Sequence, residues 1–239
     1  MITLYKSFEI QRSKSSDLTN FFVVYYHFIP EHIAMRVFSL IIFMLLTGCA
    51  TDSASLKSPA PPLMKMTENN PNKWTGLTRQ NLNHLFQIYN LSPYIFTHEI
   101  IIESKVIPHS HPILTLNTRY AEKPQMLLAV FLHEQLHWWT EIRKESIQSA
   151  LIDIKQLFPS LPNEGVAKDE SSTYLHFLIC FLEYDALIDL VTKKEADKII
   201  HELIEKDKIY PWIYSQVLLN FKEINAIIER NNLRPLTKI

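Results

Sequence analysis

Phe131-Leu132-His133-Glu134-Gln135-Leu136-His137-Trp138-Trp139 is the stretch that decides how this chain is read. It contains His-Glu-x-x-His. On a helix, positions i and i+4 share one face, roughly 6 Å apart along the axis. Two imidazoles so placed can reach one zinc ion, and Glu134 projects beside them, where it can take a proton from an activated water. The residues before the motif, Gln125-Met126-Leu127-Leu128-Ala129-Val130, are apolar on nearly every face, which predicts a buried helix opened by Pro124. Two histidines and a glutamate inside a buried helix need partners, and a metal satisfies all three.

Around this helix the periodicity predicts further elements. Leu82, Leu85, Phe86 and Tyr89 mark a helix over 78–90. Residues 96–103 and 113–118 are β-rich and form a short strand pair before the motif helix. The link between them holds His109 and His111, which either line a cleft or are simply solvated. After the motif come a helix over 146–158, a loop over 159–170, a mostly apolar helix over 171–191, and a polar helix to about Lys206. That polar helix opens at the capping box Thr192-Lys193-Lys194-Glu195. Pro211 opens a last helix ending near Asn231. A long loop inside a compact domain is often functional. The fold class expected is α+β, predominantly α.

Zinc at a catalytic site takes three protein ligands and keeps one position open. The helix over 171–191 places His176, Cys180 and Glu183 on one face at i, i+4 and i+7. His176 and Glu183 are two turns, or about 10 Å, apart along a straight helix, so one ion takes one of them and the other sits outside its shell. Glutamate's longer arm and negative charge favour Glu183 as ligand. His176 then bonds a ligand or faces the substrate as a catalytic group. Cys180 reads as a small buried hydrophobe. Glu141 either orients His137 or is solvated. Tyr210, Trp212 and Tyr214 open the last helix, with nothing local to single one out. A carboxylate-bridged di-iron site is set aside, because it needs a second Glu-x-x-His on another helix and the chain has none.

These residues resemble the zincin metallopeptidases over about Pro112 to Leu190. The resemblance implies zinc on His133 and His137, Glu134 as general base, peptide-bond hydrolysis, and a zincin-like domain over 74–239. It also implies a substrate strand laid against the edge of Ile113–Arg119. Gluzincin-type members draw a glutamate ligand from a later helix, which supports Glu183. The residues flanking it in the family are replaced here by Leu182 and Leu187, so the likeness is to an atypical branch.

The N-terminal quarter carries an address. Arg36 precedes an apolar run from Val37 to Leu46, then Thr47-Gly48-Cys49. A positive residue, a short apolar run and small residues describe a secretory signal. Leu46-Thr47-Gly48-Cys49 resembles the bacterial lipoprotein signal, whose cysteine carries lipid and becomes the mature N-terminus. Translation is then expected to start at Met35, with residues 1–49 an extension plus signal and 50–73 a flexible tether rich in Ser and Pro. Ala50 favours, by the same resemblance, the outer membrane facing the periplasm. With Cys49 lipidated, Cys180 has no partner for a disulfide.

Composition closes off other classes. The chain has 47 % hydrophobic and 21 % charged residues and a formal charge of −1, so no basic excess points to nucleic acid. Its three glycines exclude Gly-rich phosphate and dinucleotide loops. The reading is a lipid-anchored zinc hydrolase acting on a peptide or protein substrate. Two alternatives are an envelope lipoprotein with a structural zinc and a protein partner, and a zinc amidase acting on cell-wall amides.

Overall fold

A computed structural model describes residues 63–206 and 208–235. The signal, Cys49 and the tether up to residue 62 lie outside them. Among the described residues the architecture is α+β and predominantly α: a three-stranded sheet and seven α-helices.

The sheet is parallel, in the order β1-β2-β3, with β1 at Lys65–Asn69, β2 at Glu99–Glu103 and β3 at Leu114–Leu116. Two of these strands are the expected pair. The third, β1, falls within the stretch expected to be tether. Its local sequence, Lys-Met-Thr-Glu-Asn, carries little strand signal, and tertiary pairing supplies the order. It runs in register with β2 from Lys65 opposite Glu99 to Asn69 opposite Glu103. Side chains close both ends: Lys65 Nζ meets Glu99 at 2.8 Å and Asn69 Nδ2 donates to Glu103 at 3.0 Å. Ile100, Ile102, Leu114 and Leu116 bury against the helices.

Helix α1, Lys73–Ile88, starts earlier than its apolar spacing suggests. Asn72 caps it, accepting from the Trp74 and Thr75 amides, while Thr75 Oγ1 accepts from the Asn72 amide. This reciprocal cap satisfies donors that a helix start leaves open. The motif helix α2 spans Pro124–Ile142 and is buried along most of its length, as its sequence predicts. Helix α3 covers Lys144–Leu157, α4 Glu170–Leu190 and α5 Lys193–Lys206. Asp169 caps α4 by accepting from the Ser172 amide at 2.8 Å.

The helix expected from Pro211 to Asn231 is two: α6, Pro211–Leu219, and α7, Phe221–Arg230. They break at Asn220, whose side-chain amide donates to the Gln216 carbonyl at 3.0 Å. Asparagine offers the backbone such local alternatives and so favours helix ends.

Helix α4 is the hub, packing on α2, α3, α5, α6 and α7. Phe177, Leu178, Ile179, Cys180 and Phe181 are wholly buried in succession, so no face of this stretch meets solvent. Phe158 stacks on Phe177 with ring centres 4.1 Å apart. The loop over 159–169 is fixed at Gly165, which has φ +73° and whose carbonyl accepts from the Trp212 amide at 3.2 Å. A Cβ there would meet the Trp212 backbone nitrogen at 3.0 Å, so the position suits only glycine. No helix among the described residues is long and apolar enough to cross a membrane.

Candidate metal centre

Gln135, inside the motif, faces away from its two histidines and sets the pose of α2. It is wholly buried. Its Oε1 accepts from the Phe96 and Thr97 amides at 2.8 and 2.9 Å, and its Nε2 donates to the Thr97 carbonyl at 2.9 Å. The helix is thereby pinned to the strand leading into β2. Its opposite face presents His133, Glu134 and His137 to a cleft of about 590 Å³.

Three imidazoles meet on that face. The ring centres of His133 and His137 lie 5.2 Å apart, His133 and His176 5.5 Å, and His137 and His176 5.1 Å. With Zn–N bonds of about 2.0–2.1 Å and tetrahedral angles, ring centres about 3.2 Å from an ion fall about 5.2 Å from one another. The near-equilateral triangle therefore has the size of a three-histidine zinc site. The tautomers fit as well. His133 Nδ1 donates to Glu183 Oε2 at 2.8 Å, and His176 Nδ1 donates to the Ser172 carbonyl at 2.6 Å. Each bond commits the outer nitrogen and leaves Nε2 for the centre of the triangle.

The structure keeps Glu183 and His176 in different groups of possible ligand atoms, and the expected set of His133, His137 and Glu183 is not brought together. His176 joins His133 and His137, while Glu183 lies behind His133 and is 1 % exposed. Tyr214 donates to the same Glu183 oxygen at 2.9 Å. A second group of possible ligand atoms, from His133, Cys180 and Glu183, lies on this rear side. There the His133–Glu183 distance is that of a hydrogen bond, and burial pushes the Cys180 thiol up to about 11, so it holds its proton at neutral pH. That group is a hydrogen-bonded support, less suited to an ion than the triangle.

The electrostatics agree with donor imidazoles. Burial, then the charge on His133 and the neighbouring His176 and His111, lowers His137 to about 2. Burial and His133 lower His176 to about 3, against a bond to the Ser172 backbone that raises it. Both are neutral, with lone pairs available. Burial also opposes charge on His133, but its bonds to Cys180 and Glu183 outweigh that and hold its pKa well above the ordinary imidazole value. A metal would displace this proton. Glu134 is raised to about 7, mainly by burial; His133 and His109 lower it and Glu183 raises it. A carboxyl poised near neutrality can both accept and return a proton.

His109 and His111 line the cleft, one of the two readings of their link, together with residues that local sequence did not single out. Tyr210 stacks on His176 with ring centres 4.2 Å apart. It lines the cleft with His109, His111, Arg119 and Lys208. Of the three aromatics opening α6, Tyr214 is tied to Glu183, and Trp212 meets Phe158 and Phe177 edge-on, leaving Tyr210 beside the histidines. Glu141 is exposed, as one of the two roles expected for it has it, and pairs with His111 at 3.1 Å. His111 also stacks on Trp138, whose Nε1 donates to the Ser110 carbonyl at 2.9 Å. The loop before β3 is thereby latched to α2. It covers the edge expected to receive a substrate strand: His109 and Thr115 exchange backbone hydrogen bonds at 3.1 and 2.7 Å in an antiparallel bridge.

Comparison of the chain with family models, curated proteins and solved structures finds no match.

Proposed function

We propose that the chain is a zinc-dependent hydrolase of zincin-like design that cleaves peptide bonds, with His133, His137 and His176 holding the ion. The observation that carries this reading is the triangle of imidazoles with Glu134 beside it, opening onto a cleft. A structural zinc site is closed by four protein ligands; three ligands with an open side and an adjacent carboxyl suit catalysis. Bound zinc supplies Lewis acidity, polarising a carbonyl and acidifying water.

The chain's own groups do the rest. Glu134 takes a proton from water entering the cleft and returns it to the departing amine, two transfers that a carboxyl near pKa 7 performs at neutral pH. Glu183, steadied by Tyr214, holds the His133 ring in place and fixes its tautomer. Tyr210, packed on His176 at the cleft wall, offers a phenol to the charge that develops on the carbonyl oxygen. Cys49, as the lipidated N-terminus, anchors the protein to a bacterial envelope membrane facing the periplasm.

The test is metal content and peptide-library cleavage by wild type, His133→Ala and Glu134→Gln. Wild type carries zinc and cleaves, and His133→Ala loses both. Glu134→Gln keeps zinc and loses on the order of 10²-fold or more in rate, because the amide cannot accept the proton. Unchanged turnover in Glu134→Gln overturns the mechanism. Zinc without cleavage in wild type supports the structural alternative.

A further inference from the structure

One end of the cleft carries charge that the hydrolytic chemistry does not use. Arg119, in the turn after β3, and Lys208, between α5 and α6, both line it. Arg79, Arg230 and Arg234 each pair with a carboxylate, at 3.2, 2.8 and 2.7 Å. Neither Arg119 nor Lys208 has such a partner among the described residues. The two carboxylates of the lining, Glu134 and Glu183, are 6 % and 1 % exposed and belong to the histidine cluster.

Arg119 is already posed. Its amide donates to Asn117 Oδ1 at 3.1 Å, one guanidinium nitrogen donates to the Lys206 carbonyl at 2.6 Å, and the guanidinium lies 5.1 Å from the centre of the Tyr120 ring. These contacts use one corner of a planar fork that offers five donors. The same cleft also has apolar lining. Val130 lies one turn before Glu134 on the same helix face, and Leu203 of α5 is buried against the cleft. An ordered guanidinium and an ammonium over low-dielectric walls concentrate anions, and a guanidinium fork matches a carboxylate in two bonds.

Resting on the hydrolase reading above, we propose that this end of the cleft is a subsite for a carboxylate carried by the peptide, with an apolar side chain seated on Val130 and Leu203. The carboxylate comes either from the peptide's C-terminus or from an Asp or Glu side chain. A C-terminal source makes the enzyme a carboxypeptidase; a side-chain source makes it an acid-selective endopeptidase.

Binding separates this proposal from catalysis. The full-length chain with Glu134→Gln, loaded with zinc, is titrated with fluorescent pentapeptides having a free or an amidated C-terminus. A second pair, both amidated, carries Glu or Gln at an internal position. One pair is expected to favour the acid by about 5-fold, the upper range of an exposed ion pair. Adding Arg119→Gln brings that ratio down to about 2-fold or less, and Arg119→Glu inverts it. The pair that discriminates names the source. Equal binding within both pairs overturns the subsite, and so does an absence of binding by all four peptides. A ratio that survives Arg119→Glu also overturns it, for then Arg119 only caps the end of α5. Acid-selective binding by a chain that cleaves nothing when Glu134 is intact keeps the subsite and removes the hydrolase. Cleavage without acid preference does the reverse.

Discussion

Truncating His176 and Glu183 separately distinguishes a metal ligand from its support. Structural zinc sites with four ligands bind with about 10–16 kcal/mol, or about 2.5–4 kcal/mol per ligand. Losing one direct ligand therefore costs about 10²–10³-fold in affinity. His176 fits that role, with Nδ1 committed to Ser172 and its ring 5.1 and 5.5 Å from the other two imidazoles. Glu183 acts one bond further out, through a 2.8 Å contact to His133 Nδ1. Loss of such a partner costs about 10–100-fold. His176→Ala is thus expected to weaken zinc by about ten times more than Glu183→Ala. Glu183→Gln, whose amide oxygen can still accept from His133, sits closest to wild type. Competition with a fluorescent zinc chelator at pH 7.5 measures all three, and circular dichroism checks that each variant is folded. If Glu183→Ala loses more zinc than His176→Ala, Glu183 is the ligand and the three-imidazole assignment is wrong.

Three further outcomes are expected. Gln135→Ala removes three hydrogen bonds to the 96–97 backbone, so it should destabilise the fold by about 3 kcal/mol, lowering Tm by roughly 6–12 °C in a scan; an unchanged Tm would show that α2 is held by packing alone. In the metal-free chain His137 and His176 stay neutral when folded but take up protons when unfolded below pH 6.5. Their effect makes stability rise with pH up to that point, and two imidazoles outweigh the opposing single carboxyl of Glu134 above pH 4.5. Above pH 6.5 the folded state binds the extra protons, on Glu134 and His133, so stability falls again; a denaturation series with no maximum near pH 6.5 contradicts these shifts. Cys49→Ser should abolish metabolic labelling by palmitate and leave the precursor unprocessed, while an unlipidated, soluble wild-type chain in the periplasm would sink the anchor.

The helices were legible because burial imposes a period on sequence. Pro124 and the near-continuous apolar run behind it give α2, and the Thr192–Glu195 box gives α5, with Glu195 N donating to Thr192 Oγ1 at 3.3 Å. What escaped depends on distant partners. Lys65–Asn69 becomes a strand because β2 offers its edge, and nothing in Lys-Met-Thr-Glu-Asn announces that edge. The latch of Trp138 and Glu141 on Ser110 and His111 joins segments about thirty residues apart that have no shared pattern.

The third ligand shows where sequence reasoning stops. Spacing separates His176 from Glu183 by two helical turns, and in the structure they fall in different groups of possible ligand atoms. Choosing between them requires knowing where along α4 the motif face of α2 crosses. The crossing brings His176 level with the His137 side and Glu183 level with the outer nitrogen of His133. A shift of α4 by two turns relative to α2 would exchange the roles without changing the spacing. That register is set by the buried run Phe177–Phe181 against its neighbours and by Tyr214, thirty-one residues on, which donates to Glu183 and holds its carboxylate on the rear side. Removing that hydroxyl with Tyr214→Phe takes one hydrogen bond from Glu183 and keeps its contact with His133. The ring should then keep its tautomer but hold its place less firmly, so zinc affinity should fall by less than in Glu183→Ala.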